Sequence, residues 1–133
     1  MSTPSSTPNP TEGELAILRV LWARKTPMTV REVHGVLSRG KDTAYTTVLK
    51  MLTIMAEKGL VHRDESERSH TYRPAQAEPA VQASLLKDLV RRAFSGSALT
   101  LVQRALDDDL ASADELDAIA KLIAEAKARR DEG

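Results

Sequence analysis

The chain contains no cysteine, which excludes disulfides, iron–sulfur clusters, thiol catalysis and cysteine-ligated zinc. Aromatic residues are scarce: Trp22, Tyr45, Tyr72 and Phe94 are the whole set. A core must therefore be assembled from Leu, Val, Ile, Ala and Met, a palette that suits packed helices. No apolar run approaches the roughly 18 residues needed to span a bilayer, so no membrane insertion is expected. The opening MSTPSSTPNP has neither a basic start nor an apolar stretch and does not read as a signal peptide. A cytoplasmic protein is the expectation. Also missing are a glycine-rich phosphate loop, a nucleophile elbow and a His–carboxylate pair at catalytic spacing. No catalytic residue, metal or cofactor is called for, and an enzyme is not expected.

What is present begins with charge. The 19 basic and 19 acidic residues cancel, yet they are unevenly placed. Residues 11–73 carry 11 Lys/Arg against 8 Asp/Glu, and residues 74–133 carry 8 against 11. A basic front and an acidic back suggest two jobs. The first ten residues, rich in Pro, Ser and Thr and without a cation, read as a disordered tail.

Order is expected from Thr11. The segment TEGE is a capping box, with Thr11 as cap and Glu14 reaching back. Leu15, Leu18 and Trp22 then recur at helical spacing over 12–23. A second box, TVRE, opens a helix at Thr29, striped by Val30, Val33 and Leu37, and SRGKD reads as the turn after it. Met28, just before the cap, suits a short strand or a hydrophobic staple. A third helix runs from Ala44 to Lys58 and stops at Gly59, the residue type best suited to a left-handed cap. LVHRDE and SHTYRP flank SER, a strand–turn–strand pattern over 60–73 ended by Pro74.

On a wheel of the third helix, Ala44, Val48, Met51, Leu52 and Met55 fall on the core side. Thr46, Lys50, Thr53 and Glu57 fall opposite, with Thr47 and Ile54 on a flank. β-branched residues cost helix propensity on an exposed surface, so the adjacent threonines need a reason. In a major groove, threonine can meet a thymine methyl or a base edge, and lysine reaches guanine or phosphate. A helix preceded by a helix and turn, and followed by a hairpin, forms a winged helix-turn-helix whose second motif helix enters the groove. Arg68 is the cation of the wing tip.

The back half is helical. Val81, Leu85, Leu89 and Leu86, Val90, Phe94 mark one helix, broken by SGS. Leu99, Val102 and Leu106 mark a second. SADE caps a third, carrying Leu116, Ile119, Ile123 and Ala126. Short amphipathic helices without a sheet have little to bury against in one chain, and a second copy would supply it. The fold class expected is mainly α with a small β-wing. A winged-helix DNA-binding domain over 11–75 would be followed by a helical dimerisation region over 76–133, its contacts made by Leu85, Leu89, Leu99, Val102, Leu106, Leu116, Ile119 and Ile123.

The run TVREVHGVL…AYTTVLKMLTIMAEKGLVHRDESERSHTYRP resembles the BlaI/MecI family of penicillinase (β-lactamase) repressors. The likeness extends to E-x-x-I-L-x-x-L-W, from Glu14 to Trp22, and to EKGLV and the Y-R-P that ends the wing. It implies a homodimeric repressor on double-stranded operator DNA, a short inverted repeat built around TACA/TGTA. By position, Thr46, Thr47 and Lys50 would face the operator, with Thr43 and Tyr45 near the phosphates and Thr29 and Arg31 as phosphate contacts. Penicillin-responsive members are inactivated by a membrane-bound sensor protease. The sequence departs from the family at three points. Ile54 stands where many members carry a basic residue, the cysteine cluster of copper-responsive members is absent, and no Asn–Phe pair occurs near TLVQRAL.

Two other constellations carry less. Asp107, Asp108 and Asp109 are consecutive and point in different directions, so they read as a solvated helix end rather than a cation site. His62 and His70 could oppose one another across the hairpin, as a polar pair or a metal pair. A winged-helix protein–protein adaptor is the competing function. The threonine and lysine face, acidic only at Glu57, favours DNA.

Overall fold

A computed structural model describes residues 8–132. In order they form α1 (Glu12–Arg24), β1 (Met28–Thr29), α2 (Val30–Gly40), α3 (Tyr45–Lys58), β2 (Val61–Asp64), β3 (Thr71–Pro74), α4 (Glu78–Ala93), α5 (Ala98–Asp107) and α6 (Ala113–Glu132). Residues 1–7 of the expected tail lie outside the described residues. Asn9 is half-buried, and its Oδ1 accepts a hydrogen bond from the Ser84 hydroxyl at 2.7 Å.

Local chemistry explains where the helices start. At α1 the Thr11 hydroxyl accepts the Glu14 N–H at 3.2 Å, while Glu14 Oε1 accepts the Thr11 N–H at 2.9 Å. Thr29 with Glu32 does the same for α2, and Ser112 with Glu115 for α6. Each box satisfies two backbone donors that the helix leaves orphaned. Helix α3 ends at Gly59, whose φ of 83° is a left-handed cap that a side chain would strain. Two boundaries differ from the sequence reading. Ser38–Gly40 form the last turn of α2 rather than a loop. Ala44 is extended, at φ −70° and ψ 142°, and exposed, so it precedes α3 instead of joining its core face.

The core gathers one stripe from each front helix: Ile17, Leu18 and Leu21 of α1, Val30 and Val33 of α2, and Val48, Leu52 and Met55 of α3. Met28, Leu60, Val61 and Tyr72 close it from the sheet side. The Met51 methyl of α3 lies against Gly13 of α1, 2.9 Å from where a Cβ would stand. Glu14 is also buried in this region, and Lys58 Nζ donates to its Oε2 at 2.7 Å. The antiparallel sheet has the order β1-β3-β2. Met28 therefore fulfils the strand option, opposite Tyr72, and Thr29 pairs with Thr71. This is a winged helix, with three helices in front of a hairpin wing.

Contacts divide the chain into two units, the division falling within α4 between Leu86 and Lys87. In the first unit, Val81 at the start of α4 is buried and the Trp22 indole N–H donates to the Gln76 carbonyl at 3.0 Å. In the second unit, neither α5 nor α6 has a buried residue. Leu99 is 77% exposed, Leu110 73%, Leu122 61% and Ile123 50%. Leu89, Val102, Leu106 and Leu116 are exposed as well, while Leu85 and Ile119 are half-covered. Among the described residues, no helix is long and apolar enough to cross a membrane.

Candidate nucleic-acid interface

The exposed face of α3 carries Thr46, Thr47 and Lys50 in the open. Their exposure follows from the helix period, because Val48, Leu52 and Met55 turn the opposite side into the core. Lys50 has no ion-pair partner among the described residues, so its charge is free to meet an anion.

Beside that face lies a groove of about 380 Å³, lined by Thr29, Arg31, Tyr45, Leu49, Arg68 and His70 among others. The fold thus brings together four residues scattered in sequence. Thr29 and Arg31 come from the start of α2, Tyr45 from the start of α3 and Arg68 from the wing tip. Thr46, Thr47 and Lys50 do not line this groove; they stand on the outer side of the same helix. Thr29 is committed to its cap, which leaves the opening turn of α2, with its positive dipole end, facing the groove. Thr43 is half-buried, and its hydroxyl donates to the Lys41 carbonyl at 3.1 Å.

The wing's charges sort themselves by pairing. Arg63 is bound to Glu65 at 2.8 Å, and the hydroxyl of Tyr72 together with that carboxylate pushes its guanidinium above the ordinary range. Asp64 accepts the Ser66 N–H at 2.9 Å, which holds its carboxyl below the usual value and shapes the tip. Arg68 has no ion pair among the described residues, nor does Arg31. Behind the groove, Arg24 joins Glu32 at 3.1 Å. The Thr29 N–H, then Arg24, hold the Glu32 carboxyl below its usual value, so the cap of α2 stays charged.

The register corrects the histidine reading. His62 lies opposite Arg73, Arg63 opposite Tyr72 and Asp64 opposite Thr71, which leaves His70 beyond the ladder. The pairing is fixed by Val61 meeting Pro74 and by β3 also pairing with β1, so the hairpin is not free to centre on its own turn. Among the described residues, no group of three or more His, Asp or Glu side chains could hold a metal ion.

Two residues of this surface escaped the sequence reading. Leu49 is 42% exposed and lines the groove; its spacing of four from Tyr45 places both on one flank, a usable clue. The other is His34. Its Nε2 lies 2.7 Å from the Thr43 carbonyl oxygen, and its ring meets that of Tyr45 edge-on, with centroids 5.7 Å apart and an interplanar angle of 71°. Nothing in the helical period announces a contact made across a turn.

The model of the penicillinase repressor family matches residues 10–125. The chain belongs to this family. The repressor is 37% identical to the transcriptional regulator BlaI of Mycobacterium tuberculosis over 116 residues, covering 86% of this chain and 83% of the relative. It is 23% identical to the penicillinase repressor of Bacillus licheniformis over 125 residues, covering 94% and 97%. In structure it is similar to RosR of H. salinarum, with a TM-score of 0.51 at 17% identity over 93% of this chain and 99% of that one, a likeness of fold alone.

Proposed function

We propose that this DNA-binding transcriptional repressor acts as a cytoplasmic homodimer on an inverted-repeat operator, placing one α3 in each of two successive major grooves. The observation that carries the reading is the open Thr46–Thr47–Lys50 face flanked by Arg31 and Arg68, cations without a carboxylate partner among the described residues. Thr46, Thr47 and Lys50 supply base discrimination, at roughly 1–3 kcal/mol for each good contact. Thr29, Arg31, Thr43, Tyr45 and Arg68 engage the sugar–phosphate backbone and supply the salt-dependent, sequence-blind part of affinity. The protein binds and blocks a promoter; it does not catalyse a reaction.

Support for the dimer comes from the back half, residues 76–133. Neither α5 nor α6 has a buried residue in the single chain, whereas helices in proteins draw most of their stability from packing an apolar face. Leu89, Leu99, Val102, Leu106, Leu116 and Ile123 are exposed in one chain, and a second copy covers them, together with Leu85 and Ile119. Two copies also double the phosphate contacts available on the basic front, residues 11–75. Cleavage of the back half by a membrane-bound sensor protease would release the DNA by removing the second copy.

Fluorescence anisotropy tests this with a duplex carrying a TACA/TGTA inverted repeat against a scrambled duplex at two salt concentrations. A preference of about a thousandfold or more that survives the higher salt is the expected result. Equal affinities that collapse together with salt would reduce the protein to a non-specific binder, and binding to neither would point to a protein–protein adaptor.

A further inference from the structure

We propose that His34 is a positioning residue for operator recognition, holding the start of α3 at the orientation in which Tyr45, Thr46 and Thr47 meet DNA. The inference rests on the operator-reading function above.

Helix α3 is built differently from its neighbours at the end that matters most. α1, α2, α5 and α6 each begin with a hydroxyl side chain that accepts a backbone N–H: Thr11, Thr29, Ser97 and Ser112. The cap position before α3 is Ala44, which makes no side-chain cap hydrogen bond, and the first turn of α3 contains no acidic residue. A missing cap costs about 1 kcal/mol and allows the first turn to fray. The turn that leads into it is exposed at Lys41 and Asp42, so packing does not fix the entry angle either.

The restraint comes from the preceding helix instead. His34 is half-buried on α2. Its Nε2 approaches the carbonyl oxygen of Thr43, the residue immediately before the cap, at 2.7 Å. A carbonyl can only accept, so Nε2 carries the hydrogen and donates it. The same ring supports Tyr45, the residue immediately after the cap, by the edge-on contact, a geometry that aromatic pairs prefer. One imidazole thus grips the chain on both sides of Ala44. It holds the peptide carbonyl by a hydrogen bond and the phenol ring by packing. His34 does not line the groove and acts through Thr43 and Tyr45.

The test compares His34→Gln, whose amide N–H can reach the Thr43 carbonyl, with His34→Met, which is neutral and of similar length but has no donor. Both side chains are good helix formers, so α2 is not penalised differently. Each full-length variant is titrated by anisotropy against the TACA/TGTA duplex and its scrambled counterpart, beside the unsubstituted protein. The expected result is a specificity ratio that falls about tenfold in His34→Met, equivalent to about 1.4 kcal/mol. Affinity for the scrambled duplex and its salt slope stay unchanged, and His34→Gln remains within about threefold of the original ratio, the scale of one weakened base contact. Equal ratios in the two variants overturn the inference. So does a loss that is the same on both duplexes, or a pair that differs only in melting temperature, since either marks a residue that merely supports the fold. Failure of the unsubstituted protein to discriminate between the duplexes would instead remove the operator-reading function itself.

Discussion

Replacing Lys58 with methionine should unsettle the protein far from any DNA contact. Lys58 closes α3, and its ammonium donates at 2.7 Å to Glu14, whose side chain is 5% exposed against 31% for the lysine. Methionine keeps most of the aliphatic stem and removes the charge. A hydrogen bond to a charged group contributes about 1.5–3 kcal/mol, and breaking a fully buried pair costs about 3–5 kcal/mol. The partial exposure of Lys58 and the bond Glu14 keeps with the Thr11 N–H place this case at the lower end, near ~2 kcal/mol. With a urea slope of about 1–3 kcal/mol/M, the unfolding midpoint should drop by roughly 1 M. The pH dependence identifies the cause. Burial pushes the Glu14 carboxyl up, but the Lys58 hydrogen bond, the Thr11 N–H and the charge of Lys58 together bring it below its ordinary value. A depressed carboxylate stabilises the folded state above its unfolded value, about 4.3, and that contribution is lost as pH falls through the folded value. The deficit of Lys58→Met should therefore be complete at neutral pH and narrow as pH falls through the depressed folded value, where Glu14 takes up a proton and no longer needs a partner. Urea titrations followed by far-ultraviolet circular dichroism at several pH values would measure it. A deficit under about 0.5 kcal/mol, or one that stays constant from neutral pH down through the acid range in which Glu14 takes up its proton, would refute the ion-pair account.

Three other substitutions address the interface. Lys50→Ala should weaken binding to the operator duplex by about tenfold or more while leaving scrambled duplex nearly unaffected, the mark of a base contact; equal weakening in an anisotropy titration would make it a phosphate contact. Arg68→Ala should lower affinity for both duplexes alike and reduce the slope of log K against log salt by about one; an unchanged slope would leave the wing tip out of the complex. Ile123→Asp changes a residue 50% exposed in the single chain, so it should cost the isolated fold little while converting dimers to monomers on a sizing column coupled to light scattering. A dimer that survives would place the subunit contact elsewhere.

The front of the fold was legible because its helices advertise their ends. The two Thr-x-x-Glu boxes and Gly59 are chemical stops read from single residues, and the apolar period between them separates Val48, Leu52 and Met55 from Thr46 and Lys50. Where the reading slipped, the deciding contact was distant. Ala44 has the period of a core residue, but it sits in an extended linker pinned from another helix. Ser38–Gly40 look like turn residues and are nonetheless helical, because α2 continues as long as its carbonyls find donors, ending with the Lys41 N–H on Leu37. The hairpin register could not follow from the local strand pattern, since β1, more than forty residues upstream, shares β3 with it. His34 was invisible for the same reason: its partners lie nine and eleven positions along the chain, a spacing belonging to no regular element.

The sheet order separates two kinds of evolutionary freedom within one hairpin. Thr71 and Tyr72 are held on both sides, by β1 and by β2, and Arg73 and Pro74 by β2; a slip of one position there would turn Tyr72 from the interior to water. The residues between the paired strands have no such obligation and are exposed throughout. Insertions, deletions and changes of charge at the tip are therefore nearly free of structural consequence, whereas the flanking strands tolerate few. If the wing tip meets the phosphate backbone as proposed, a lineage of such proteins can retune that grip by editing five or six surface residues and leave the packing of α3 intact.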